Sequence, residues 1–300
     1  NKIVNGTQCT ITWYVDNAKI SKDEDVVTNI INTLEEEYRD LKASRGKNHI
    51  LLGMNIQIKD DRTVKVDTSV YLQELSNAFS ESVAEKESSP AAKEIFEVDG
   101  DGKKLDENRA ELFHSYCAKL LWVMKRERPD IEVPISCLST RVSDPSEEDW
   151  KKLKRVLGFI KGTIDDKRRM GIDDMCNIVT MTDASHTVHK NMRSHTGGLV
   201  SLGNGILHGK SLKQKLNTKS STESELVGVS DYVPYTIWFK NFIKAQGYTV
   251  DKNIIYQDNA SAIKMERNGR NSSTGNSRHV SIRYFFVKDR VDKGKIDIKY

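Results

Sequence analysis

Three acidic stations separated by tens of residues constrain this chain more than any other feature. The first is Thr182-Asp183-Ala184-Ser185, which follows the apolar run Asn177 to Met181. The second is Ser220-Ser221-Thr222-Glu223-Ser224-Glu225-Leu226, and the third is Gln257-Asp258-Asn259, which follows Asn253 to Tyr256. Asp183 and Asp258 read as acids placed where a β-strand gives way to a loop, the edge of an open sheet at which sites form. The Glu is different, because Ser221 to Tyr232 reads as a capped helix with Leu226, Val229 and Val233 on one face. Glu223 and Glu225 are two apart on that helix and cannot both face one point.

A cluster of carboxylates with no His or Cys group offers hard oxygen donors, which suit Mg²⁺ or Mn²⁺ and not zinc. Two such ions about 3.5–4 Å apart can clamp a phosphodiester. The bland alternative is that acids at strand ends are solvated turn residues. Cys9, Cys117, Cys137 and Cys176 have neither a Cys-x-x-Cys pair nor regular spacing, and read as reduced thiols. Asp99-Gly100-Asp101-Gly102 is read as a turn, since a calcium loop would need Gly at Lys104 and Glu at Ala110.

The 300 residues are enough for about two domains. The net charge of +4 is mild, but basic residues cluster at Lys151–Arg155, Lys167–Arg169 and Lys210–Lys219, where they can either bind phosphates or form a solvated face. No apolar stretch approaches the roughly 18 residues needed to span a bilayer, so no membrane partner is expected. Residues 1–79 alternate strand and helix, with Asp25 to Leu41 a helix striped by Val26, Ile30, Ile31, Leu34 and Tyr38. Residues 80–164 read as helical after a polar linker, 80–108. Residues 165–300 open with a hairpin in which Gly198–Leu202 and Ile206–His208 flank Asn204-Gly205.

Further strings carry a resemblance. Arg193-Ser194-His195-Thr196-Gly197-Gly198, Gly203-Asn204-Gly205, Lys210-Ser211-Leu212-Lys213-Gln214 and Arg278-His279-Val280-Ser281-Ile282-Arg283-Tyr284, in order around the three acids, resemble the ribonuclease H domain of Ty/copia-type LTR retrotransposon polyproteins. Upstream, Trp13-Tyr14-Val15-Asp16-Asn17, His49 to Ile56, Arg128-Pro129-Asp130-Ile131 and Trp150 to Thr163 resemble the end of the reverse transcriptase palm and the connection that follows it.

The resemblance implies an α/β chain: an α+β palm remnant (1–79), a helical thumb or connection region (80–164), and a ribonuclease H-like mixed sheet with flanking helices (165–300). It implies hydrolysis of the RNA strand of RNA–DNA hybrids at two Mg²⁺ or Mn²⁺ ions held by Asp183, Glu225 and Asp258. Of the two Glu, the family pattern favours Glu225, with Leu226 next and Gly228 three positions on, and leaves Glu223 as a solvated first-turn acid. By the same resemblance His279 lies beside the metals, and Asp16 is a palm metal ligand. Ser194, Thr196, Gln214 and Asn259 are candidate contacts to the hybrid. The implied partners are the hybrid and the upstream fingers and palm residues of the same polyprotein, in an intracellular setting, either a cytoplasmic virus-like particle or the nucleus.

Two departures weaken the metal sites: Asn17 stands where the palm hairpin has a second Asp, and Ser281 where the late helix has a fourth carboxylate. Without its upstream residues the palm remnant is not expected to polymerise DNA. The alternative reading is a descendant that has lost its chemistry and serves as a nucleic-acid-binding or scaffold protein.

Overall fold

The computed structural model of the chain describes all residues except 1, 5, 22, 40, 85, 174–176 and 270–280. It combines helices with mixed sheets. Strands β1 (Lys2–Val4), β2 (Thr7–Tyr14) and β3 (Asn17–Ser21) form an antiparallel meander. Helix α1 (Glu24–Glu37) follows, four residues shorter at its C-terminal end than the stripe predicts. Val26 is buried, whereas Tyr38 is exposed. Strands β4 (Asn48–Leu51), β5 (Met54–Ile58) and β6 (Val64–Asp67) are joined by tight turns, and α2 (Ser69–Asn77) leads away from them.

A helical bundle comes next: α3 (Glu107–Arg126), α4 (Glu132–Ser139) and α5 (Glu147–Gly162). Helix α3 starts where the Asp106 side chain accepts from the Arg109 amide, and Lys125 and Arg126 in its last turn complement the helix dipole. Helix α5 starts at a reciprocal capping box between Ser146 and Asp149. The apolar faces meet in one core that includes Leu72, Phe113, Leu120, Ile135, Leu153 and Leu157. The basic face of α5 holds the 80–108 linker. Lys154 pairs with Glu81 at 3.1 Å, Arg155 pairs with Glu87 at 3.4 Å, and Lys152 donates to the Ile95 and Glu97 carbonyls. Three of these cations are thus engaged within the fold. Asp99 Oδ1 accepts from the Asp101 amide, which makes Asp-Gly-Asp-Gly a turn.

After β7 (Arg168–Ile172) comes a second five-stranded sheet, built from β8 (Asn177–Ser185), β9 (His195–Ser201), β11 (Ile206–Lys213), β12 (Lys252–Tyr256) and β13 (Asp297–Lys299) in the order β11-β9-β8-β12-β13. The first three strands are antiparallel, while β12 runs parallel to both β8 and β13. A parallel neighbour requires a crossover, which α6 (Ser221–Ala245) supplies from β11 to β12. Helices α7 (Ala260–Asn268) and α8 (Ser281–Asp292) connect β12 to β13. Helix α6 runs thirteen residues past Tyr232 and includes Pro234, because its buried face continues through Val233 and Thr236 to Ile243.

The predicted hairpin is present but longer. Gly203-Asn204 forms a short strand, β10, that pairs with β7 and extends the β7-β6-β5-β4 sheet. The Arg168 guanidinium reinforces this junction by donating to the Arg126 carbonyl at 2.8 Å and to the Ile206 and Leu207 carbonyls at 2.6 and 3.0 Å. Glu132 of α4 accepts from Lys125 at 2.5 Å and from the Ser211 amide at 3.2 Å. His195 continues the chain, with Ser211 Oγ at 2.6 Å and His189 at 3.0 Å. Burial pushes both imidazoles down to about 4, with Lys213 adding to the effect at His189 and His189 at His195. Neutral rings suit their packing against Phe96.

Gly205 has φ +89, and a Cβ there would overlap the Arg169 carbonyl, whereas Gly247 has φ +87 with nothing within 4 Å of that position. Gly247→Ala therefore costs only left-handed strain, about 1–2 kcal/mol. Gly205→Ala should cost clearly more, because the β7–β10 junction must also move. Urea denaturation of the two variants compares them directly; equal losses would show that the junction has no steric demand at Gly205.

Candidate metal centre

The parallel pairing of β12 with β8 aligns Ile255 with Thr180 and Tyr256 with Met181, so the last paired residues each stand two positions before an acid, Asp258 and Asp183. Asp183 is the seventh of the nine residues of β8, inside the strand, and Asp258 lies two residues past β12. Alternation along β8 buries Ile178, Thr180, Thr182 and Ala184 and leaves Asp183 exposed.

Helix α6 brings the third acid. Its start is fixed by Ser220, which accepts from the Glu223 amide at 3.2 Å. Its position along the sheet is fixed by Tyr232, whose hydroxyl donates to the Gly198 and Lys210 carbonyls at 2.5 Å each. The ring lies so close to Gly198 that a Cβ there would overlap it.

One carboxylate oxygen from each of Asp183, Glu225 and Asp258 can lie within 4.8 Å of the others, the one such group of three found among the described residues. Asp183 and Asp258 are exposed, and Glu225 is 6 % exposed. Glu225 Oε1 accepts from the Ala184 amide at 3.2 Å, while Oε2 is buried without a hydrogen-bond partner. Burial pushes the Glu225 carboxyl up to about 7. The Ala184 amide opposes that shift, and the charges of Asp183 and Asp258 add to it. An unpaired buried oxygen facing two solvent-open carboxylates fits a hard divalent cation, which would supply the missing partner and offset the like-charge repulsion.

The geometry separates the two Glu residues. Glu223 is not a solvated acid: it is 6 % exposed, and its Oε2 accepts from the Lys219 amide at 2.7 Å. It thereby ties the residue before the Ser220 N-cap to the first turn of α6.

Three of the four candidate hybrid contacts lie inside the domain. Ser194, Thr196 and Gln214 are fully buried. Gln214 Nε2 donates to Thr196 Oγ1 and to the Ser224 carbonyl, both at 2.9 Å. Ser194 Oγ lies 2.9 Å from both Thr218 Oγ1 and Ser224 Oγ, and His186 Nδ1 lies 2.9 Å from Ser224 Oγ. These hydrogen bonds join the segment at the start of β9 to the first turn of α6, and they leave Gln214 Oε1 buried without a partner. Asn259 is half-buried, and its Oδ1 caps α7 through the Ala262 amide at 3.0 Å. His279 lies outside the described residues.

Asp16 is at the tip of the β2–β3 hairpin, where its Oδ1 accepts from Asn17 Nδ2 at 2.8 Å and Trp13, Tyr14 and Val15 are exposed. It belongs to no group of three acids among the described residues. His186 and Thr218, in loops, and Ser224, in the first turn of α6, were missed from the sequence because single polar residues carry no periodic signal.

The chain is 24 % identical over 298 residues to the Retrovirus-related Pol polyprotein from transposon TNT 1-94 of Nicotiana tabacum, covering 95 % of this chain and 22 % of that protein. It is 24 % identical over 249 residues to the Transposon Ty1-NL2 Gag-Pol polyprotein of Saccharomyces cerevisiae, covering 77 % of this chain and 14 % of that protein. The chain is therefore similar to Ty1/copia-type Pol polyproteins over most of its length, and spans about a fifth or less of these two relatives. No family model matches. Among solved structures, the foamy viral protease-reverse transcriptase in complex with RNA/DNA hybrid aligns over 97 % of this chain and 35 % of that one, with a TM-score of 0.51 at 10 % identity, and so shares the fold.

A carboxyl whose folded pKa is raised stabilises the fold fully only below its unfolded value, here about 4.5, and that contribution is lost as pH rises through about 7. Metal-free Glu225→Gln should therefore be more stable than wild type at pH 8 by on the order of 2 kcal/mol, with the gap closing towards pH 4.5. Adding Mn²⁺ should raise the wild-type Tm and leave that of Glu225→Gln nearly unchanged. Thermal melts across pH measure both effects; a gap that does not vary with pH would contradict the assigned environment.

Proposed function

We propose that this chain is a downstream part of a retrotransposon-type Pol polyprotein, and that its carboxylate centre hydrolyses the RNA strand of RNA–DNA hybrids with Mg²⁺ or Mn²⁺. The observation that carries this reading is the convergence of Asp183, Glu225 and Asp258 from two parallel strands and a crossover helix. The similarity to Pol polyproteins over most of the chain supports it. The divalent ions would activate water and stabilise the charge that develops as the phosphodiester breaks. The residues themselves provide position and charge. Asp183 and Asp258 present solvent-open carboxylates, and Glu225 keeps one oxygen on the Ala184 amide and has the other free of hydrogen bonds, so that it could help to hold an ion. Asn259, next to Asp258, is the remaining candidate for a hydrogen bond to a ribose hydroxyl.

Ser281, half-buried at the start of α8, occupies the position at which the resemblance has a fourth carboxylate. A hydroxyl brings no charge, so the second ion would be held more weakly. That substitution, together with Asn17, favours the second reading, in which the fold is kept as a nucleic-acid-binding or scaffold protein. In the first reading the exposed tip of the β2–β3 hairpin meets the upstream palm and fingers of the polyprotein, and the protein works inside the cell in a cytoplasmic particle or the nucleus.

Cleavage of an end-labelled RNA–DNA hybrid in Mg²⁺ or Mn²⁺ separates the readings. Asp183→Asn should lower the rate by about 10²–10³-fold, as loss of a charge-stabilising group does, and Ser281→Asp should raise it. Cleavage that survives in Asp183→Asn would remove the site assignment, and silence in wild type and Ser281→Asp alike would favour the scaffold.

A further inference from the structure

Beneath the metal centre lies a polar pair that the proposed chemistry does not use. Gln257, the residue before Asp258, is 3 % exposed, and Glu266 of α7 is fully buried. Gln257 Nε2 donates to Glu266 Oε1 at 3.3 Å and, at a long 3.5 Å, to the Glu225 carbonyl. The Gln257 backbone amide donates to the Lys299 carbonyl at 2.9 Å. One side chain thereby links α6, α7 and the end of β12, and its main chain ties to β13. Two buried oxygens at this junction, Gln257 Oε1 and Glu266 Oε2, have no hydrogen-bond partner, and an ionised carboxylate, an acceptor only, could not give them one.

We infer that Glu266 and Gln257 form a positioning pair that sets Asp258 against Glu225, with Glu266 present as a neutral carboxylic acid. A protonated Glu266 is a donor as well as an acceptor, so it can pair with an amide through two hydrogen bonds and give both orphaned oxygens a role. Burial pushes the Glu266 carboxyl up to about 8; the Gln257 hydrogen bond and the Arg267 charge oppose the shift, and Glu225 adds to it. The charged groups around it agree with a neutral form. Helix α6 presents the like charge of Glu225, Arg267 of its own helix is turned to the Ile298 carbonyl of β13, and Lys288 of α8 is paired with Asp292. Removing the pair frees the Asp258 turn from α6 without touching a carboxylate of the centre.

The consequence for metal binding rests on the proposed function, whereas the pairing itself does not, and the test has an arm for each. Glu266→Gln keeps a donor and an acceptor in the same shape. Glu266→Leu fills the volume and removes both. In calorimetric titration with Mn²⁺, Glu266→Leu should lose about 10–100-fold in affinity, the usual cost of removing support behind a ligand, and its Tm should fall modestly because the buried Gln257 amide loses its partner; Glu266→Gln should stay close to wild type in both. Hydrogen exchange of the Asp258 and Asn259 amides, measured without metal, should accelerate in Glu266→Leu and not in Glu266→Gln. Wild-type Mn²⁺ affinity in Glu266→Leu, or unchanged exchange at Asp258, would overturn the inference. If wild type binds no Mn²⁺, the proposed function fails and the exchange arm alone decides the pairing.

Discussion

Like-charge repulsion among three converging carboxylates is the constraint on which this structure turns. Asp183, Glu225 and Asp258 can place oxygens within 4.8 Å of one another, and the Glu225 carboxyl is held in the buried interior and pushed up to about 7. No apolar packing favours that arrangement, so the surrounding fold must hold the acids in place against their repulsion. The parallel β8–β12 pairing fixes the two Asp. Tyr232, wedged against Gly198 and bonded to two strand carbonyls, fixes the register of α6. The Ser194, Thr218 and Ser224 hydroxyls tie the first turn of α6 to the sheet beside Glu225.

The same logic explains the polar residues within this domain. Buried hydroxyl and amide groups are stable only when they satisfy one another, and those near the centre lie where the helix that carries Glu225 meets the sheet. Away from the centre, Arg168 and Glu132 bridge the bundle and the β9–β11 hairpin through backbone groups, so the hairpin takes part in both five-stranded sheets. A local site is thereby attached to a large frame.

Much of this was legible in the residues. The apolar runs before Asp183 and Asp258 marked strands, and the Ser-rich cap before Leu226 marked α6, since period and capping act locally. The limits were equally physical. Glu223 and Glu225 share one helix turn, so helix geometry alone leaves them open, and their tertiary partners, the Lys219 amide for one and the Ala184 amide for the other, differ. Ser194, Thr196 and Gln214 carry polar chemistry that suits a ligand or an interior equally well, and burial decided the matter. Glu266 gave no signal because a charged residue in an amphipathic helix normally faces water, and here it shares the buried face of α7 with Ala262 and Ile263. The extension of α6 past Pro234 overrode a local breaker signal through continued burial at Thr236 and Ile243.

The central claim is that these three carboxylates form one divalent metal centre. Diffraction from crystals soaked in Mn²⁺, recorded at the manganese absorption edge, tests it without relying on activity. An anomalous peak bonded to oxygens of Asp183, Glu225 and Asp258 together is expected, and it should disappear in Asp183→Asn. Manganese bound only elsewhere, or no peak at millimolar Mn²⁺, would contradict it.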